Sequence, residues 1–491
     1  MEINKRKLIH VLSITLIIVG LSMIPSLICS FINKNQQQVK SFLLPMFVCL
    51  SIGGILLRLF EKSTKPLKIR DCYIMVFSII VTACVAGAFP YYMSIKNATF
   101  IQSIFESTAG FTTTSATVFY EPSMAPSLIL WKGIEHWVGG IAILVFILSI
   151  LPMLGIGDQQ IATAEAHGTM LNKIAPRSFQ IIKYIFIIYS GITLISFIYF
   201  ALVKTGLFDA LILALSTSST AGILLHPEGI SYYNSFLVEL GVSVLSIFSG
   251  LSFVVYIHLY KRNFSELKRN MEFRAFLLII AISSTFIGIS LFRHGHGGFL
   301  RSIADGFFQV SSFATTSGFA LQNYALWPST CVFVLIAVML IGGCSASTTG
   351  SFKVIRFLIV LKLIGKGFAK RIHPRSVHSV KIGNSPINSS MVISVTTFTM
   401  VYFMTILIST LIISIQNLDI ESSLGATIGA ISNSGISFGV VGMSGNYNVF
   451  HPLLQLFISF LMIVGRVGLV TISIIFIPSF WRPHRMMRIK I

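Results

Sequence analysis

Charged residues are scarce in this sequence of 491 residues. Only 11% are Asp, Glu, Lys or Arg, and 16 of these are acidic. Because soluble proteins carry about 25% charged residues, this deficit excludes an ordinary soluble domain. Several apolar stretches exceed the ~18 residues that indicate a bilayer-spanning helix. The sequence therefore predicts a polytopic protein of the lipid bilayer.

Nucleic-acid binding is not expected, although the net charge is +20. The basic residues are grouped in separate loops, as the positive-inside rule predicts for the cytoplasmic side of a membrane protein. These loops lie at 62–70, 261–274, 353–381 and 482–490, whereas 416–450 contains no Lys or Arg. We expect the basic loops and both termini in the cytoplasm.

Motifs for metal chemistry and catalysis are also missing. The six cysteines have no CxxC spacing, so neither a zinc site nor a disulfide framework is indicated. No HExxH motif occurs, and we expect neither an enzyme nor a bound cofactor. An enzyme using Ser437 or His136 is one alternative, but it lacks an assembled acid–base set. Glu135 and His136 are interpreted as the outer end of a helix instead of a proton site.

A short string of small and hydroxylated residues recurs about every hundred residues, which indicates an internal repeat. Each copy follows an apolar segment too short to span the bilayer and precedes a full-length helix. The copies are STAGF at 107–111, STAGI at 219–223, TTSGF at 315–319 and SNSGI at 432–436. Ordinary turns or small-residue helix packing would explain a single copy, but not four at equivalent positions.

These units predict an all-α polytopic membrane protein with ten spanning helices and four re-entrant loops. Four helix–re-entrant P-loop–helix repeats in a pseudo-fourfold arrangement surround one pore, after two N-terminal transmembrane helices. Predicted helices include 8–32, 41–60, 127–154, 232–259 and 451–480. The predicted divisions are the two-helix addition at 1–70 and pore repeats at 71–160, 161–260, 261–370 and 371–491.

The repeated strings suit a monovalent cation. Non-helical backbone at membrane depth is tolerated only where protein or water satisfies its polar groups. Four such loops around one axis can offer carbonyls and hydroxyls to a dehydrated ion, and glycine permits the backbone turn. Because the strings contain no Asp or Glu, potassium is the first choice.

Two further features lie beside the expected pore. IGGCSASTTGSFK at 341–353 interrupts an apolar stretch, which predicts an unwound segment able to plug the path; a helix end plus linker is the alternative. Arg466 lies in an apolar helix without an acidic neighbour. We expect it to face an aqueous cavity, oppose cations and contact carbonyls of 341–353; snorkelling is the alternative.

Together with WVGGIAILVFILSILPMLGIG at 137–157 and GRVGLVTISIIFIPSFWR at 465–482, these strings resemble the TrkH family of bacterial Trk potassium uptake systems. The resemblance implies a gated potassium pore in the bacterial inner membrane. It also implies a homodimer with one pore per subunit and regulation by a TrkA-like cytoplasmic ring of nucleotide-binding subunits.

The resemblance also implies roles for individual residues. Potassium would bind in the selectivity filter at Thr108, Ala109, Gly110, Thr220, Ala221, Gly222, Thr316, Ser317, Gly318, Asn433, Ser434 and Gly435. The gate loop would comprise Gly342, Gly343, Cys344, Ser345, Ala346, Ser347, Thr348, Thr349, Gly350, Ser351 and Lys353. Arg466 would be the cavity barrier. Ala346, Thr349 and Ser351 depart from the family, in which these positions are often glycine.

An obligately coupled symporter with H⁺ or Na⁺ is the main alternative to a gated pore. In that protein the strings would form an occluded site instead of a continuous filter. Transporters of this type usually contain buried ionisable groups. The apparent scarcity of buried carboxylates therefore favours the pore.

Overall fold

A computed structural model describes residues 4–60, 69–146, 178–260, 262, 264–374, 381–382, 385–386, 389–443 and 445–481. The fold is helical in these ranges apart from one antiparallel pair of two-residue strands. Lys381–Ile382 forms β1 and Ser385–Pro386 forms β2, with Lys381 opposite Pro386. The expected all-α class is confirmed with this small exception.

The N-terminal addition consists of three helices that give two spans. They are α1 at Lys5–Ser22, α2 at Ile24–Ile32 and α3 at Gln36–Leu59. α1 and α2 are separated only at Met23 and together form one apolar span. These helices pack on the following unit, where the Phe42 ring lies edge-on to Trp131 at 6.3 Å between centroids.

Each following unit contains a long helix, a short helix and then a further helix or pair of helices. The first has α4 at Ile69–Ser94, α5 at Phe100–Phe111 and α6 at Pro126–Val145. The second has α7 at Ser178–Leu202, α8 at Leu207–Ser219, α9 at Phe236–Gly250 and α10 at Phe253–Tyr260.

The third unit begins with α11 at Phe264–Arg269, followed by α12 at Met271–Arg293, α13 at Phe299–Ala314, α14 at Ser329–Ile341 and α15 at Val354–Ile372. The fourth has α16 at Ser389–Ser414, α17 at Ile420–Ile431, α18 at Pro452–Val467, α19 at Leu469–Phe476 and α20 at Pro478–Trp481.

Two helices predicted to be continuous are bent. The predicted helix 232–259 is the pair α9 and α10, which meet at 88°, and 451–480 contains α18 and α19, which meet at 117°. Gly468, with φ of +108°, forms the second bend because this backbone conformation favours glycine. Within the described ranges, seven helices suffice to span a membrane, or nine if each bent pair counts once.

The expected interruption of the third unit is present, since α14 ends at Ile341 and α15 begins at Val354. The pair α14 and α15 occupies the place of the one predicted span that is not among the nine counted above. The second part of predicted helix 127–154, most of the basic loop 62–70 and the basic cluster 482–490 lie outside the described residues.

Aromatic side chains surround the short helices and join different units. Phe313 of α13 packs against Phe438 of the fourth unit at 5.8 Å between ring centroids, and Phe105 of α5 packs against Tyr447 at 5.3 Å. The outward faces of α7 and α16 instead expose large apolar residues such as Ile195 and Leu407. Such faces suit contact with lipid, so the polar interior is enclosed by apolar packing.

Candidate functional site

Each short helix ends in the same backbone turn. One non-glycine residue adopts a left-handed conformation, with φ between +51° and +56°, and the next residue donates its N–H to the carbonyl five positions earlier. The left-handed residues are Thr113, Thr220, Thr316 and Asn433. The hydrogen bonds are Thr114 to Ala109, Ala221 to Ser216, Ser317 to Ser312 and Ser434 to Gly429, at 2.8 to 3.1 Å.

This turn defines four equivalent segments, which we name the central loops. Central loop 1 is 113–115, loop 2 is 220–222, loop 3 is 316–318 and loop 4 is 433–435. A left-handed conformation is rare for β-branched residues and costs on the order of 1–3 kcal/mol. Its occurrence at three threonines therefore indicates that the surroundings strongly constrain these loops.

The first predicted string lies five residues before the position that the other three strings occupy in the shared turn. Thr108, Ala109 and Gly110 are inside α5 instead of in a loop. Gly110 is in close contact with α6, because a Cβ there would lie 2.4 Å from Glu135 Oε2. The residues equivalent to the other three strings are 113–115, so Ser115 takes the position of Gly222, Gly318 and Gly435.

The central loops contact one another directly. Ser317 O accepts hydrogen bonds from Gly222 N at 2.5 Å and from Ser115 Oγ at 2.8 Å. Asn433 Nδ2 donates to Thr114 Oγ1 at 3.1 Å. These bonds join loop 3 to loops 1 and 2, and loop 4 to loop 1.

Glycine is required at two of these contacts. Gly318 and Gly435 have φ values of +67° and +75°. A Cβ on Gly318 would lie 2.5 Å from Ser434 O, and one on Gly435 would lie 2.3 Å from Ala116 N. The close approach of the loops therefore depends on the absence of side chains at these positions.

A cavity of about 50 Å³ is lined by all four central loops. Its wall includes Ser115, Gly222, Gly318 and Gly435, and further wall residues come from the segments that follow the loops, including Glu121 and Tyr447. A cavity of about 10–15 Å³ on this measure holds one water, so this one can hold a few water molecules. The cavity is thus large enough for a dehydrated or partly hydrated monovalent cation.

Residues 342–353, which we name the interrupting loop, touch the central loops at the residues before the glycine position. Gly350 N donates to Thr316 Oγ1 at 3.0 Å, and Thr220 Oγ1 donates to Thr348 Oγ1 at 3.2 Å. The cavity wall contains the glycine position itself. The interrupting loop and the cavity therefore lie on opposite sides of the central loops.

Several units hold the interrupting loop. Cys344 N donates to Gly250 O at 3.1 Å, and Ala346 O accepts from Phe253 N at 2.9 Å, so the loop bridges the bend between α9 and α10. Glu272 Oε1 at the start of α12 accepts from Ser345 N at 2.6 Å. Of the three departures from glycine, Ala346 and Ser351 have left-handed φ values of +53° and +73°.

Arg466 contacts this loop as expected. Its Nη1 donates to Thr348 O at 2.5 Å, whereas Nε and Nη2 have no hydrogen-bond partner among the described residues. The side chain is buried, and no described acidic residue pairs with it. A second cation, Lys353, donates to Thr349 O and Oγ1. Both cations thus bind oxygens of the interrupting loop.

A family model named TrkH and described as a cation transport protein matches residues 38–482. The chain belongs to the TrkH family. Among curated relatives of this TrkH-family chain, the Trk system potassium uptake protein TrkG of Escherichia coli K12 is 30% identical over 485 residues, covering 97% of this chain and 99% of the relative. The Trk system potassium uptake protein TrkH of the same strain is 29% identical over 471 residues, covering 94% and 96%.

The fold of this TrkH-family chain is similar to a solved one. The crystal structure of the potassium transporter TrkH from Vibrio parahaemolyticus matches with a TM-score of 0.89 and 25% identity, covering 98% of this chain and 100% of that chain. Family and fold together establish a multi-pass membrane protein of a cation transport family.

Buried ionisable groups are more numerous than the sequence suggested. Glu106, Glu121 and Glu135 are all buried, so the expected scarcity of buried carboxylates is wrong. Glu135 accepts hydrogen bonds from Tyr91 Oη and Ser107 Oγ, both at 2.7 Å. Glu135 and His136 lie within α6 and are fully buried, so they do not form an outer helix end.

An assembled catalytic pair at Ser437 or His136 is not observed in the described part of this TrkH-family chain. Neither Ser437 Oγ nor either ring nitrogen of His136 has a hydrogen-bond partner there. The described residues also contain no group of three or more His, Cys, Asp or Glu side chains placed to hold a metal ion. The candidate site therefore consists of the central loops, the cavity and the interrupting loop.

Thr113, Thr114 and Ser115 are not among the predicted site residues, although the sequence contains a signal for them. TTTSA at 112–116 matches TTSGF at 315–319 in its run of hydroxylated residues, but STAGF, five residues earlier, is more similar to STAGI. Burial of Glu106 and Glu135 was not predicted, because the side chains that bind them, such as Lys132 and Tyr91, are distant in sequence.

Proposed function

We propose that this chain takes up potassium through a gated pore in the bacterial inner membrane. The four central loops form the selectivity filter, in the corrected register of 113–115, 220–222, 316–318 and 433–435. The interrupting loop is the gate, and Arg466 is a barrier to cations beneath the filter. Potassium is the transported ion, and no cofactor is assigned to this chain.

The convergence of four identical turns on one cavity carries this proposal. Every turn brings a short segment with at least one hydroxyl group, and its carbonyls, to the cavity region, and none of the central loops contains an acidic residue. Neutral oxygens can replace the hydration shell of a large monovalent cation. The names of the relatives, which are potassium uptake proteins, support the same ion.

The position of the interrupting loop supports its role as the gate. It lies against central loops 2 and 3 on the side opposite the cavity, and Arg466 adds a buried positive charge there. A cation leaving the filter on that side would meet both obstacles. Uptake then requires the loop to move.

We extend the proposal to assembly and orientation. The chain acts as a homodimer with one pore in each subunit, regulated by a TrkA-like cytoplasmic ring of nucleotide-binding subunits. Both termini and the basic loops face the cytoplasm. The four divisions 71–160, 161–260, 261–370 and 371–491 are pseudo-fourfold pore repeats. The family membership and the charge distribution support these assignments.

Reconstitution into proteoliposomes tests the central claim. An outward potassium gradient drives the uptake of radioactive rubidium, which is measured with no proton or sodium gradient. The measurement is then repeated with sodium as competitor. We expect uptake that potassium inhibits more strongly than sodium. The absence of uptake in every condition, including imposed proton or sodium gradients and a supplied TrkA-like subunit, would overturn the proposal.

An H⁺-coupled symporter remains a second candidate because of one observation. Glu135 and His136 are adjacent, fully buried and located on a helix that packs against central loop 2, where the His136 ring lies beside the Ala221 backbone. Intramembrane ionisable groups often carry protons in transporters. Rubidium uptake that appears only with an inward proton gradient, and is lost in Glu135→Gln, would favour this candidate.

A further inference from the structure

A buried cluster of three charged side chains lies beside central loop 1. Lys132 Nζ in α6 contacts Glu106 Oε1 in α5 and Glu121 Oε1, each at 2.5 Å. Lys132 and Glu106 are 0% exposed and Glu121 is 4% exposed. We name these residues the buried triad.

The buried triad binds the backbone that continues central loop 1. Lys132 Nζ also donates to Ala116 O at 3.2 Å, so all three ammonium hydrogens have acceptors. Glu106 Oε2 accepts from Val118 N at 3.0 Å, and Glu106 Oε1 accepts from Thr117 Oγ1 at 3.0 Å. The three residues that follow Ser115 are therefore all fixed to charged partners.

The same cluster reaches central loop 2. Glu121 Oε2 accepts from Leu224 N at 2.6 Å, two residues after Gly222. Glu121 and Leu224 also belong to the wall of the cavity. One carboxylate thus connects loop 1, through Lys132, with loop 2, and this contact sets the separation of two sides of the cavity.

The other central loops have different supports. Residues equivalent to Glu106, seven positions before the left-handed residue, are Leu213, Gln309 and Ala426. Loop 3 is followed by Phe319, whose carbonyl accepts from Gln309 Nε2 at 3.4 Å and Ser312 Oγ at 2.6 Å. In loop 4, Tyr447 Oη donates to Gly435 O at 2.6 Å. Neutral side chains therefore hold the backbone at Phe319 and at Gly435.

Stability alone does not account for the charges of the triad. Replacing a buried ion pair by apolar residues is often neutral or stabilising, because desolvation offsets the attraction. Charge-assisted hydrogen bonds are, however, shorter and about twice as strong as neutral ones. A charged support is therefore well suited to hold a backbone segment in one position.

Resting on the proposed function, we propose that Lys132, Glu106 and Glu121 are positioning residues that set the geometry of central loops 1 and 2 and thereby determine the cation preference of the pore. They contact the backbone that follows central loops 1 and 2, at Ala116, Val118 and Leu224, and do not bind the ion. The formal charge of the cluster is one negative unit, and its Glu121 borders the cavity, which also favours cations there.

Rubidium uptake by full-length protein in proteoliposomes tests this role. Lys132→Met leaves two carboxylates and frees the Ala116 carbonyl, and we expect the rubidium-to-sodium preference to fall about tenfold, which corresponds to about 1.4 kcal/mol. Lys132→Arg keeps the charge and the donors and should restore most of the preference. Lys96→Met, at an exposed lysine, is the matched control with unchanged preference.

Glu121→Gln provides the second test, because glutamine retains an oxygen for Leu224 N while it removes the charge facing Lys132. We expect a several-fold loss of preference with a folded protein, checked by size exclusion and thermal melting. If Lys132→Met does not fold, Glu121→Gln decides alone. An unchanged preference in folded Lys132→Met or Glu121→Gln overturns the positioning role. No rubidium uptake by the wild type would instead overturn the proposed function, and the role of the triad with it.

Discussion

The central loops and the interrupting loop are both non-helical segments in the interior, but they are held in different ways. Each central loop is closed by a hydrogen bond within its own short-helix unit, such as Ala221 N to Ser216 O at 2.9 Å. The interrupting loop is held by groups from other helices, including Gly250 O, Glu272 and Arg466. Bonds between the central loops, such as Gly222 N to Ser317 O, add to this local closure. The interrupting loop also has bonds to the end of α14, such as Lys353 N to Ile341 O at 2.8 Å, but its part at 344–348 depends on how neighbouring helices are placed.

This difference fits separate roles for the two segments in the proposed pore. Local closure suits a segment that must keep its atoms in one geometry for ion recognition. Support from several helices suits a segment that must change position, because a movement of α10, α12 or α18 removes a bond without rebuilding the loop itself. The following substitutions test each side of the comparison.

The largest effect should come from Gly318→Ala in central loop 3. The added Cβ would lie 2.5 Å from Ser434 O and force a left-handed alanine, at a cost of about 3 kcal/mol, or about a hundredfold in a rate or equilibrium. We expect near-complete loss of rubidium uptake. Gly54→Ala, where no atom lies within 4 Å of the new Cβ, is the control. Normal uptake by Gly318→Ala would show that the loop is not tightly constrained.

Arg466→Ala tests the support of the interrupting loop. The substitution removes a buried charge and the hydrogen bond to Thr348 O, and we expect uptake to rise about tenfold, the effect of about 1.4 kcal/mol on a barrier. Initial rates of rubidium uptake measure this change. Arg466→Lys keeps the charge and should raise uptake less. Unaltered rates in Arg466→Ala would exclude a barrier at this residue.

Ser115→Gly makes the four central loops alike at the glycine position. The substitution removes the hydrogen bond from Ser115 Oγ to Ser317 O, and a bond of this kind contributes about 1 kcal/mol, or about fivefold. Because the Ser317 carbonyl becomes freer to face the ion, we expect the preference for rubidium over sodium to rise by up to this factor. Competition by sodium measures it, and a lower preference would contradict the assigned role of the serine.

Gly110→Ala should leave the ion preference unchanged, which is the smallest effect expected. Gly110 lies in α5 against Glu135, so an added methyl group should lower stability by about 1–3 kcal/mol through overpacking while the ion preference of the folded fraction stays unchanged. Thermal melting and sodium competition separate the two outcomes. Altered preference at normal stability would restore the original register, in which Gly110 belongs to the filter.

The helical fold could be predicted because the bilayer limits the choice of structure. Long apolar runs must form helices, and polar runs at membrane depth must be enclosed. The bend between α9 and α10 escaped prediction because its backbone groups bind residues nearly a hundred positions away, as in Cys344 N to Gly250 O. Hydropathy carries no information about such contacts.

The predicted strings coincide with central loops 2, 3 and 4, but the string before central loop 1 is shifted. STAGI, TTSGF and SNSGI all begin within a residue of the end of a short helix, whereas STAGF lies inside α5. What extends α5 is packing, because Gly110 allows Glu135 to approach closely and Ser107 binds the same carboxylate. The position of this helix end thus depends on a partner in α6, which a repeated string does not reveal.

Ser115 stands once in a ring that otherwise has glycine at the same position. A pore assembled from identical chains would have to accept any replacement at every equivalent position together. A single polypeptide that supplies all the loops can change one of them and leave the rest intact. In the proposed pore, the serine therefore shows how one chain can change a single one of four equivalent positions, which a pore of identical chains cannot do.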